Sequence, residues 1–446
     1  MARLFGTDGV RGIANTELTP ELAFRLGWAA AYYFGREHAD PQFMIGRDTR
    51  VSGQMLEAAL AAGICSAGGH AVLLGVIPTP GVAWLTSISG SAAGVVISAS
   101  HNPFADNGIK FFSGNGYKLP DAVEDELEEL VARGMETLPR PTGKAVGGIM
   151  HQPQRIREYE DFLCSTVKTE LTGLKAVIDC ANGAAYAAAQ SVLTRLGMDL
   201  SVLNAEPDGF NINAQCGSTH MEGLQAAVLA RQADIGLAFD GDADRCLAVD
   251  EKGQLVDGDQ IMVILANELL QRNALKQLTL ATTVMSNIGL HQAIKNAGGQ
   301  VMVTSVGDRY VLEAMQKNGL SLGGEQSGHI IFGEYSTTGD GLMTALQLLA
   351  ALKRSGKTLS HLGGLMTRFP QVLVNVRVNS KAGWETNAKI TAAVQVAEQQ
   401  LGDMGRILVR ASGTEPLIRV MAEGPELAEL QQLAEQVAQV IRGELN

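Results

Sequence analysis

The sequence has few aromatic and few charged residues, 5% and 18% of its 446 residues, and it contains no block rich in Lys and Arg. Its net charge is −12, whereas proteins that bind nucleic acids usually present a basic face. Long hydrophobic runs are also lacking, and dense apolar stretches such as residues 71–77 are too short to span a membrane. The composition therefore argues against nucleic-acid and membrane partners.

Cysteines are few, odd in number and widely scattered, and no pair has the CxxC spacing; they are Cys65, Cys164, Cys180, Cys216 and Cys246. This usage favours free thiols in a reducing compartment over disulfides or a zinc site. The first eight residues also lack the apolar core of a signal peptide. We therefore expect a cytoplasmic protein.

The order of apolar segments predicts the fold class. Hydrophobic residues make up 46% of the chain, and strand-like and helix-like segments alternate as far as Arg368-Phe369-Pro370. Such alternation is typical of α/β domains with mostly parallel sheets. Beyond that break, three strand-like segments and a helix with Pro425 in its first turn predict a smaller α+β domain. The Pro-, Gly- and Lys-rich residues 139–153 are predicted to form a linker.

A serine lies at the end of one predicted buried strand. Residues 94–103 are Gly-Val-Val-Ile-Ser-Ala-Ser-His-Asn-Pro, and Pro103 disfavours helix at Asn102, so a turn is expected there. Ser100 and His101 would then lie at the mouth of a strand, where open α/β sheets hold their chemistry. The string by itself leaves open an ordinary turn in which the serines bond the local backbone.

Three aspartates follow another predicted buried strand. Asp240, Asp242 and Asp244 alternate with Gly and Ala and precede Arg245. Such a loop can wrap around one hard cation such as Mg²⁺, which prefers oxygen ligands. The alternative is a solvated acidic turn, which is less favourable because crowded carboxylates repel one another at a buried strand end.

Two further loops have small and polar residues suited to a sugar phosphate. The first, Arg-Ala-Ser-Gly-Thr-Glu-Pro at residues 410–416, offers exposed N–H groups, hydroxyls and a planar cation. The second, Glu-Gln-Ser-Gly-His at residues 325–329, offers groups that can bond sugar hydroxyls. In isolation, an ordinary strand–strand turn is the preferred interpretation of the first loop, and a helix N-cap or polar turn explains the second about as well.

Single cations complete the set of candidates. Arg11 lies in the Gly-rich string Phe-Gly-Thr-Asp-Gly-Val-Arg-Gly at residues 5–12, which could also be a surface turn. Lys110 lies on a short apolar strand, where a lysine usually extends to solvent but could here approach Ser100. His101 is a candidate base, although a histidine in a turn more often makes a structural hydrogen bond.

Together these four loops, in this order and across the whole chain, resemble the α-D-phosphohexomutase family. The resemblance implies three related α/β domains with mixed or parallel sheets, residues 1–150, 151–255 and 256–368, and a smaller C-terminal α+β phosphate-binding domain, residues 369–446, around a central cleft. It also implies that Ser100 is carried as phosphoserine and, with Asp240, Asp242 and Asp244, holds one Mg²⁺.

The resemblance assigns roles to the remaining candidates. The transferring phosphoryl group would be surrounded by Arg11, His101, Lys110 and Arg245. The sugar would be bound by Glu325, Ser327 and His329. The non-reacting phosphate would be held by Arg410, Ser412, Gly413, Thr414 and Arg419.

Within the family, the strings at residues 5–12 and 324–329 are most similar to those of bacterial members that act on amino sugars. This similarity implies conversion of glucosamine 6-phosphate to glucosamine 1-phosphate through a 1,6-bisphosphate, a step that feeds UDP-N-acetylglucosamine and peptidoglycan synthesis. Either glucosamine 1,6-bisphosphate or a kinase would prime Ser100.

Three other functions remain open, as does the oligomeric state. A family member acting on glucose or mannose phosphates differs little, and Gln326 alone favours the amino sugar. Asp240-Gly241-Asp242 also resembles the paired aspartates of aspartate-nucleophile phosphatases. A sugar-phosphate sensor without turnover would keep the loops as well. An apolar face on the first domain would support a homodimer.

Overall fold

The computed structural model describes residues 3–6, 8–134, 140–411 and 416–445. These residues form four β-sheets and divide into two compact units. The first unit comprises the described residues up to Met285 together with Gly298–Leu365, and the second comprises Ser286–Ala297 and the described residues from Met366 onward. No helix within the described ranges combines the length and apolar character that a membrane span requires.

The first sheet has six strands in the order β1-β5-β4-β2-β3-β6. Strand β5 runs antiparallel to both of its neighbours, whereas β4, β2, β3 and β6 are parallel. The segment contains β1 (Val10–Ile13), α1 (Pro20–Phe34), β2 (Gln42–Arg47), α2 (Val51–Ser66), β3 (His70–Val76), α3 (Thr79–Ser89), β4 (Ala93–Ile97), β5 (Asp106–Ser113), α4 (Asp121–Arg133) and β6 (Ile149–His151).

The second sheet has five strands in the order β11-β10-β9-β7-β8, with β8, β7 and β9 parallel and the others antiparallel. Its segment contains α5 (Ile156–Thr166), β7 (Lys175–Asp179), α6 (Ala185–Arg195), β8 (Asp199–Leu203), α7 (Glu222–Arg231), β9 (Ile235–Phe239), β10 (Cys246–Asp250) and β11 (Leu255–Val256). Every residue of β9 is buried, as is every residue of β4 in the first sheet.

The third sheet has four strands in the order β13-β12-β14-β15, of which β15 is antiparallel to its neighbour. The segment contains α8 (Gly258–Gln271), β12 (Thr279–Thr283), α9 (Ile288–Asn296), β13 (Gln300–Thr304), α10 (Asp308–Asn318), β14 (Leu322–Gly324), β15 (Ile330–Phe332), α11 (Gly341–Ser355) and α12 (Leu359–Gly363). Of these elements, α9 belongs to the second compact unit.

The fourth sheet has three antiparallel strands in the order β16-β18-β17. Its strands and the two helices that pack on it are β16 (Gln371–Arg377), α13 (Ala388–Leu401), β17 (Arg406–Ala411), β18 (Leu417–Glu423) and α14 (Leu427–Leu445). The core consists of apolar residues on one face of α14, among them Leu430, Leu433 and Val437, against alternate residues of the strands.

The predicted fold class is confirmed: three mixed α/β sheets precede a smaller antiparallel α+β segment. The predicted linker at residues 139–153 contains β6, which extends the first sheet because its backbone pairs in parallel with β3. Strand β6 has only three residues, which is too short for an alternating apolar pattern to show, and the prolines and glycines around it indicate a linker instead. Helix α14 begins at Leu427, two residues after Pro425. The four domain ranges remain a prediction.

Helices α1 and α2 cross closely enough to require glycine at the contact. A Cβ atom on Gly63 would lie 2.0 Å from the carbonyl oxygen of Phe24, and one on Gly27 would lie 2.3 Å from that of Leu60. Both obstacles are backbone atoms, which cannot rotate aside as a side chain can. The two glycines therefore set the spacing of these helices over the first sheet.

We expect Gly63→Ala to lower the stability of the protein by about 1–3 kcal/mol or more, because the added methyl group overpacks the helix crossing. Gly223→Ala in α7 is the matched control, since a Cβ atom there meets no atom within 4 Å and alanine has the higher helix propensity. The measurement is the thermal unfolding midpoint of both variants and of the wild type. Equal midpoints for Gly63→Ala and the wild type would contradict the expectation.

Candidate active site

Two buried strands deliver the serine and the aspartates to one place in the first unit. Strand β4 leads into the loop of Ser100, and β9 leads into the loop of Asp240. The Ser100 hydroxyl donates to Asp240 Oδ2 across 2.6 Å, and both side chains are buried. The structure thus joins two motifs that are 140 residues apart in the sequence.

Ser100 has an unusual backbone conformation. Its φ of 52° lies in the left-handed region, which non-glycine residues adopt at a cost and mostly at constrained sites. The Ser100 N–H donates to Ser98 Oγ at 3.0 Å, and the backbone N–H of Asn102 donates to the Ala99 carbonyl at 3.1 Å. The turn predicted before Pro103 is therefore present, and it exposes the serine oxygen to the acidic loop.

The three aspartates form a tight cluster, with one oxygen of each within 4.8 Å of the others. Burial, followed by the charges of Asp244 and Asp242, raises the pKa of Asp240 well above its usual range. Burial also opposes ionisation of Asp242, but Lys110 and Thr79 outweigh it and hold the pKa of Asp242 well below that range.

The cluster fits a hard divalent cation. Asp242 Oδ1 and Asp244 Oδ1 are buried and accept no hydrogen bond from the described residues. Two such oxygens beside a third carboxylate leave negative charge that is costly to bury without a counterion. An all-oxygen donor set of this kind suits Mg²⁺ rather than a softer metal.

Lys110 does not extend to solvent. Its side chain is 3% exposed, and its ammonium lies 3.0 Å from Asp242, 3.0 Å from Asp8 and 3.9 Å from Asp244. Burial lowers the pKa of Lys110, but the three carboxylates outweigh burial and raise it above its usual range. Lys110 therefore contributes a permanent positive charge at the acidic loop.

A chain of alternating charges continues from Lys110. Asp8 also contacts Arg11 and lies 2.7 Å from Lys118, and Lys118 lies 2.5 Å from Asp308. Sequence reasoning missed Asp8, Lys118 and Asp308. Asp8 lies inside the glycine-rich string already singled out, three residues from Arg11, whereas the other two carry no motif that would mark them.

His101 and Arg245 lie at the same site. Arg245 Nη1 is 3.1 Å from His101 Nδ1, and that nitrogen is 3.4 Å from Ser100 Oγ. Burial, with the nearby charges of Arg245 and Arg11, lowers the pKa of His101 to about 4. The imidazole is therefore neutral at pH 7 and can accept a proton.

The loop of residues 325–329 lies beside the acidic loop of residues 240–245, because Arg245 and His329 form a β-bridge. His329 is buried and its Nε2 accepts from the Gly339 N–H at 3.2 Å, whereas Glu325 is half-buried and accepts from the Gly307 N–H at 3.2 Å. Ser327 is exposed. The structure thus brings part of this motif to the acidic loop and leaves Ser327 at the surface.

In the second unit, Arg410 and Arg419 are directly opposite each other on neighbouring strands β17 and β18. Burial and the charge of Arg419 lower the pKa of Arg410. Like charges facing each other across a sheet destabilise it, so an anion between them would relieve the repulsion. Ser412, Gly413 and Thr414, the other candidates of this loop, lie outside the described residues.

We expect Lys110→Met to destabilise the protein by about 3–5 kcal/mol when chelator is present, because it leaves buried carboxylates without their cation. Adding a divalent cation should raise the thermal unfolding midpoint of this variant by more than it raises that of the wild type, since the cation replaces the lost positive charge. Lys175→Met, on an exposed residue of β7, is the control. An equal response of all three proteins to the cation would contradict the expectation.

Four family models together match most of the chain. They describe phosphoglucomutase/phosphomannomutase α/β/α domain I at residues 2–138, domain II at residues 157–253, domain III at residues 257–369 and the C-terminal domain at residues 373–440.

Full-length relatives and solved structures agree with these models. Phosphoglucosamine mutases of Symbiobacterium thermophilum and Desulforamulus reducens are 59% and 54% identical to the chain, over 100% and 99% of both sequences. A phosphoglucomutase/phosphomannomutase family protein of Burkholderia thailandensis superposes with a TM-score of 0.83 at 25% identity, covering 100% of this chain and 98% of its own. The N-acetylphosphoglucosamine mutase of Aspergillus fumigatus shares the fold, with a TM-score of 0.72 at 19% identity, covering 99% of this chain and 96% of its own. The chain belongs to the phosphoglucomutase/phosphomannomutase family, the α-D-phosphohexomutases that its four loops resemble.

Proposed function

We propose that this protein is a phosphoglucosamine mutase, which interconverts glucosamine 6-phosphate and glucosamine 1-phosphate. The observation that carries the chemistry is the buried Ser100 hydroxyl, which lies 2.6 Å from a carboxylate of the acidic cluster. The choice of amino sugar rests on the relatives of that name, which are more than 50% identical over essentially the whole chain.

The proposed reaction has two phosphoryl transfers. The bond from phosphorus to Ser100 Oγ breaks as phosphorus bonds to O1 of glucosamine 6-phosphate, and the proton of that hydroxyl passes through a base to the serine oxygen. The resulting 1,6-bisphosphate turns and returns its 6-phosphoryl group to Ser100, leaving glucosamine 1-phosphate. Such transfers depend on in-line positioning and charge neutralisation more than on covalent chemistry by the protein.

Asp240, Asp242 and Asp244 would hold one Mg²⁺, with phosphorylated Ser100 as a further ligand. Bound there, the ion supplies neutralisation of the charge that spreads over the phosphoryl oxygens in the transition state. Lys110, Arg245 and Arg11 would add fixed positive charge around the same group. His101, which is neutral at pH 7 and lies 3.4 Å from Ser100 Oγ, is placed to exchange a proton with the reacting oxygen.

The remaining candidates would bind the parts of the substrate that do not react. Glu325, Ser327 and His329 would bond the sugar hydroxyls. The phosphate that stays in place would be bound by Arg410, Ser412, Gly413, Thr414 and Arg419. During one cycle the 6-phosphate and the 1-phosphate would bind at this position in turn. Guanidinium groups suit this, because they are planar and always charged and can bind either phosphate regardless of how the sugar is oriented.

We further propose a cytoplasmic enzyme, which would obtain its first phosphoryl group from glucosamine 1,6-bisphosphate or from a kinase. The free cysteines support this compartment, since thiols persist where glutathione keeps them reduced. A homodimer through the first domain remains a proposal of the sequence alone.

The function is tested by a ³¹P NMR time course of glucosamine 6-phosphate with the protein, Mg²⁺ and a trace of hexose 1,6-bisphosphate. We expect the glucosamine 1-phosphate signal to grow with the wild type and to be lost with Ser100→Ala, which removes the phosphoryl carrier. Ser87→Ala is the control, because this exposed serine donates only to a carbonyl of its own helix. Undiminished conversion by Ser100→Ala would refute the mechanism.

The same experiment separates the alternatives. Release of inorganic phosphate, without glucosamine 1-phosphate, would favour an aspartate-nucleophile phosphatase. Faster conversion of glucose or mannose 6-phosphate would retain the mechanism and change the substrate. Binding without conversion of any of the three sugars would indicate a sensor.

For the metal site, we expect Asp242→Asn to weaken Mg²⁺ affinity and to slow turnover together, because it removes one charged ligand of the cluster. Asp199→Asn makes the same change of charge at an exposed position of the same sheet and should alter neither quantity. Calorimetric titration of Mg²⁺ and the Mg²⁺ dependence of the rate are the measurements. An unchanged affinity in Asp242→Asn would place the ion elsewhere.

A further inference from the structure

We propose that Asn213 is a positioning residue, which together with Arg50 clamps two backbone carbonyls of the serine loop and so holds Ser100 Oγ at the acidic cluster. We call these two side chains the carbonyl clamp. The inference rests on the proposed function, since it concerns how the phosphoryl carrier of that reaction is held. Neither residue belongs to the loops that the sequence singled out.

The clamp makes four hydrogen bonds to two acceptors. Asn213 Nδ2 donates to the carbonyl of Ser100 at 2.9 Å and to that of Asn102 at 3.1 Å. Arg50 Nη2 donates to the same two carbonyls, at 3.2 Å and 2.6 Å respectively. Each carbonyl thus receives one bond from each of the two side chains, which fixes the direction of the Ser100–His101 and Asn102–Pro103 peptide units.

Arg50 is itself rigidly held. Its side chain is fully buried, and its guanidinium pairs with Asp48, which also accepts a hydrogen bond from Ser98 Oγ. The Ser98 oxygen in turn accepts from the Ser100 N–H at 3.0 Å. The backbone N–H and the carbonyl of Ser100 are therefore both bonded to side chains of one buried network.

Such a network is what a left-handed serine requires. A non-glycine residue at positive φ is disfavoured by about 1–3 kcal/mol and persists only where its surroundings over-determine it. The φ of Ser100 is 52°, and no regular strand or helix hydrogen bond supports it. Without the clamp, the loop would relax to an ordinary extended or helical conformation and carry Oγ away from Asp240.

Asn213 connects the serine loop to the segment that bears the aspartates. It lies between β8 and α7, and its own N–H donates to the Ala181 carbonyl at 2.9 Å. A Cβ atom on Gly241, between two aspartates of the cluster, would lie 2.4 Å from the Ser100 carbonyl and 2.9 Å from Asn213 Nδ2. The serine loop, the clamp and the acidic loop therefore pack against one another without spare room.

The clamp contacts backbone oxygens and leaves the serine hydroxyl free to react. Its loss should slow both phosphoryl transfers, since both use Ser100, and should leave sugar binding nearly unchanged. This division distinguishes positioning from a general structural role, which would alter stability and binding together.

The test compares Asn213→Gly with Asn211→Gly. Glycine at position 213 tolerates the native φ of 57°, so the variant removes the side chain that carries the amide without straining the backbone. Asn211 lies in the same loop, and among the described residues its side chain bonds only the loop's own backbone, at Glu206 and Asp208. We expect kcat of Asn213→Gly to fall about 10- to 100-fold with KM for glucosamine 6-phosphate nearly unchanged, because small displacements of a reacting atom have effects of this size.

Two further measurements separate this proposal from the proposed function. Transfer of a phosphoryl group from hexose 1,6-bisphosphate to Ser100, followed by intact-protein mass spectrometry, should slow in Asn213→Gly by the same factor as kcat. Amide hydrogen exchange in residues 99–102 should accelerate in Asn213→Gly and not in Asn211→Gly. Failure of the wild type to accept a phosphoryl group refutes the proposed function, whereas the exchange result judges the clamp independently.

Identical kcat and identical exchange in the two glycine variants would overturn the proposal. If Asn213→Gly does not fold, Asn213→Asp takes its place against Asn211→Asp, since aspartate is nearly isosteric, tolerates positive φ and lacks the amide donor. A folded Asn213→Asp that matches Asn211→Asp in kcat and exchange would overturn the proposal equally.

Discussion

The charge balance around three buried carboxylates is the constraint on which the site depends. Asp240, Asp242 and Asp244 place oxygens within 4.8 Å of one another, and like charges at that range in a poorly hydrated region repel strongly. Lys110 offsets part of this repulsion and keeps the pKa of Asp242 low, whereas burial and the charges of Asp244 and Asp242 raise the pKa of Asp240 despite the charge of Arg245. The buried Asp242 and Asp244 oxygens that accept no hydrogen bond from the described residues mark where a divalent cation fits.

The close approach of the Ser100 backbone to the backbone of the acidic loop is the second constraint. The serine oxygen can lie 2.6 Å from Asp240 only because the acidic loop has glycine at position 241, where any Cβ atom would strike the Ser100 carbonyl. The left-handed backbone of Ser100 completes this fit. Local strain at one residue is thus stabilised by hydrogen bonds from several others, as is common where reacting groups are held in place.

Most of the fold followed from local patterns. Buried strands such as β4 and β9 are continuous apolar runs, and the loops at their ends carry the serine and the aspartates as expected. Prediction failed where the pattern was short: β6 has three residues among prolines and glycines, and its partner strand is far away in the sequence. Lys110 could be placed on its strand, but the direction of its side chain depends on carboxylates from two other segments, the loop of Asp8 and the loop of Asp242 and Asp244.

The sequence by itself determined the fold class, the positions of the loops and the kinds of chemical group they carry, because strand periodicity and motif composition are local properties. Only the tertiary structure decided which groups meet. Asp8, Lys118 and Asp308 enter the site through ion pairs between segments more than 100 residues apart, and Asn213 reaches Ser100 across 113 residues. Contacts of this kind depend on how sheets and loops pack, and the residues that neighbour each partner in the sequence give no signal for them.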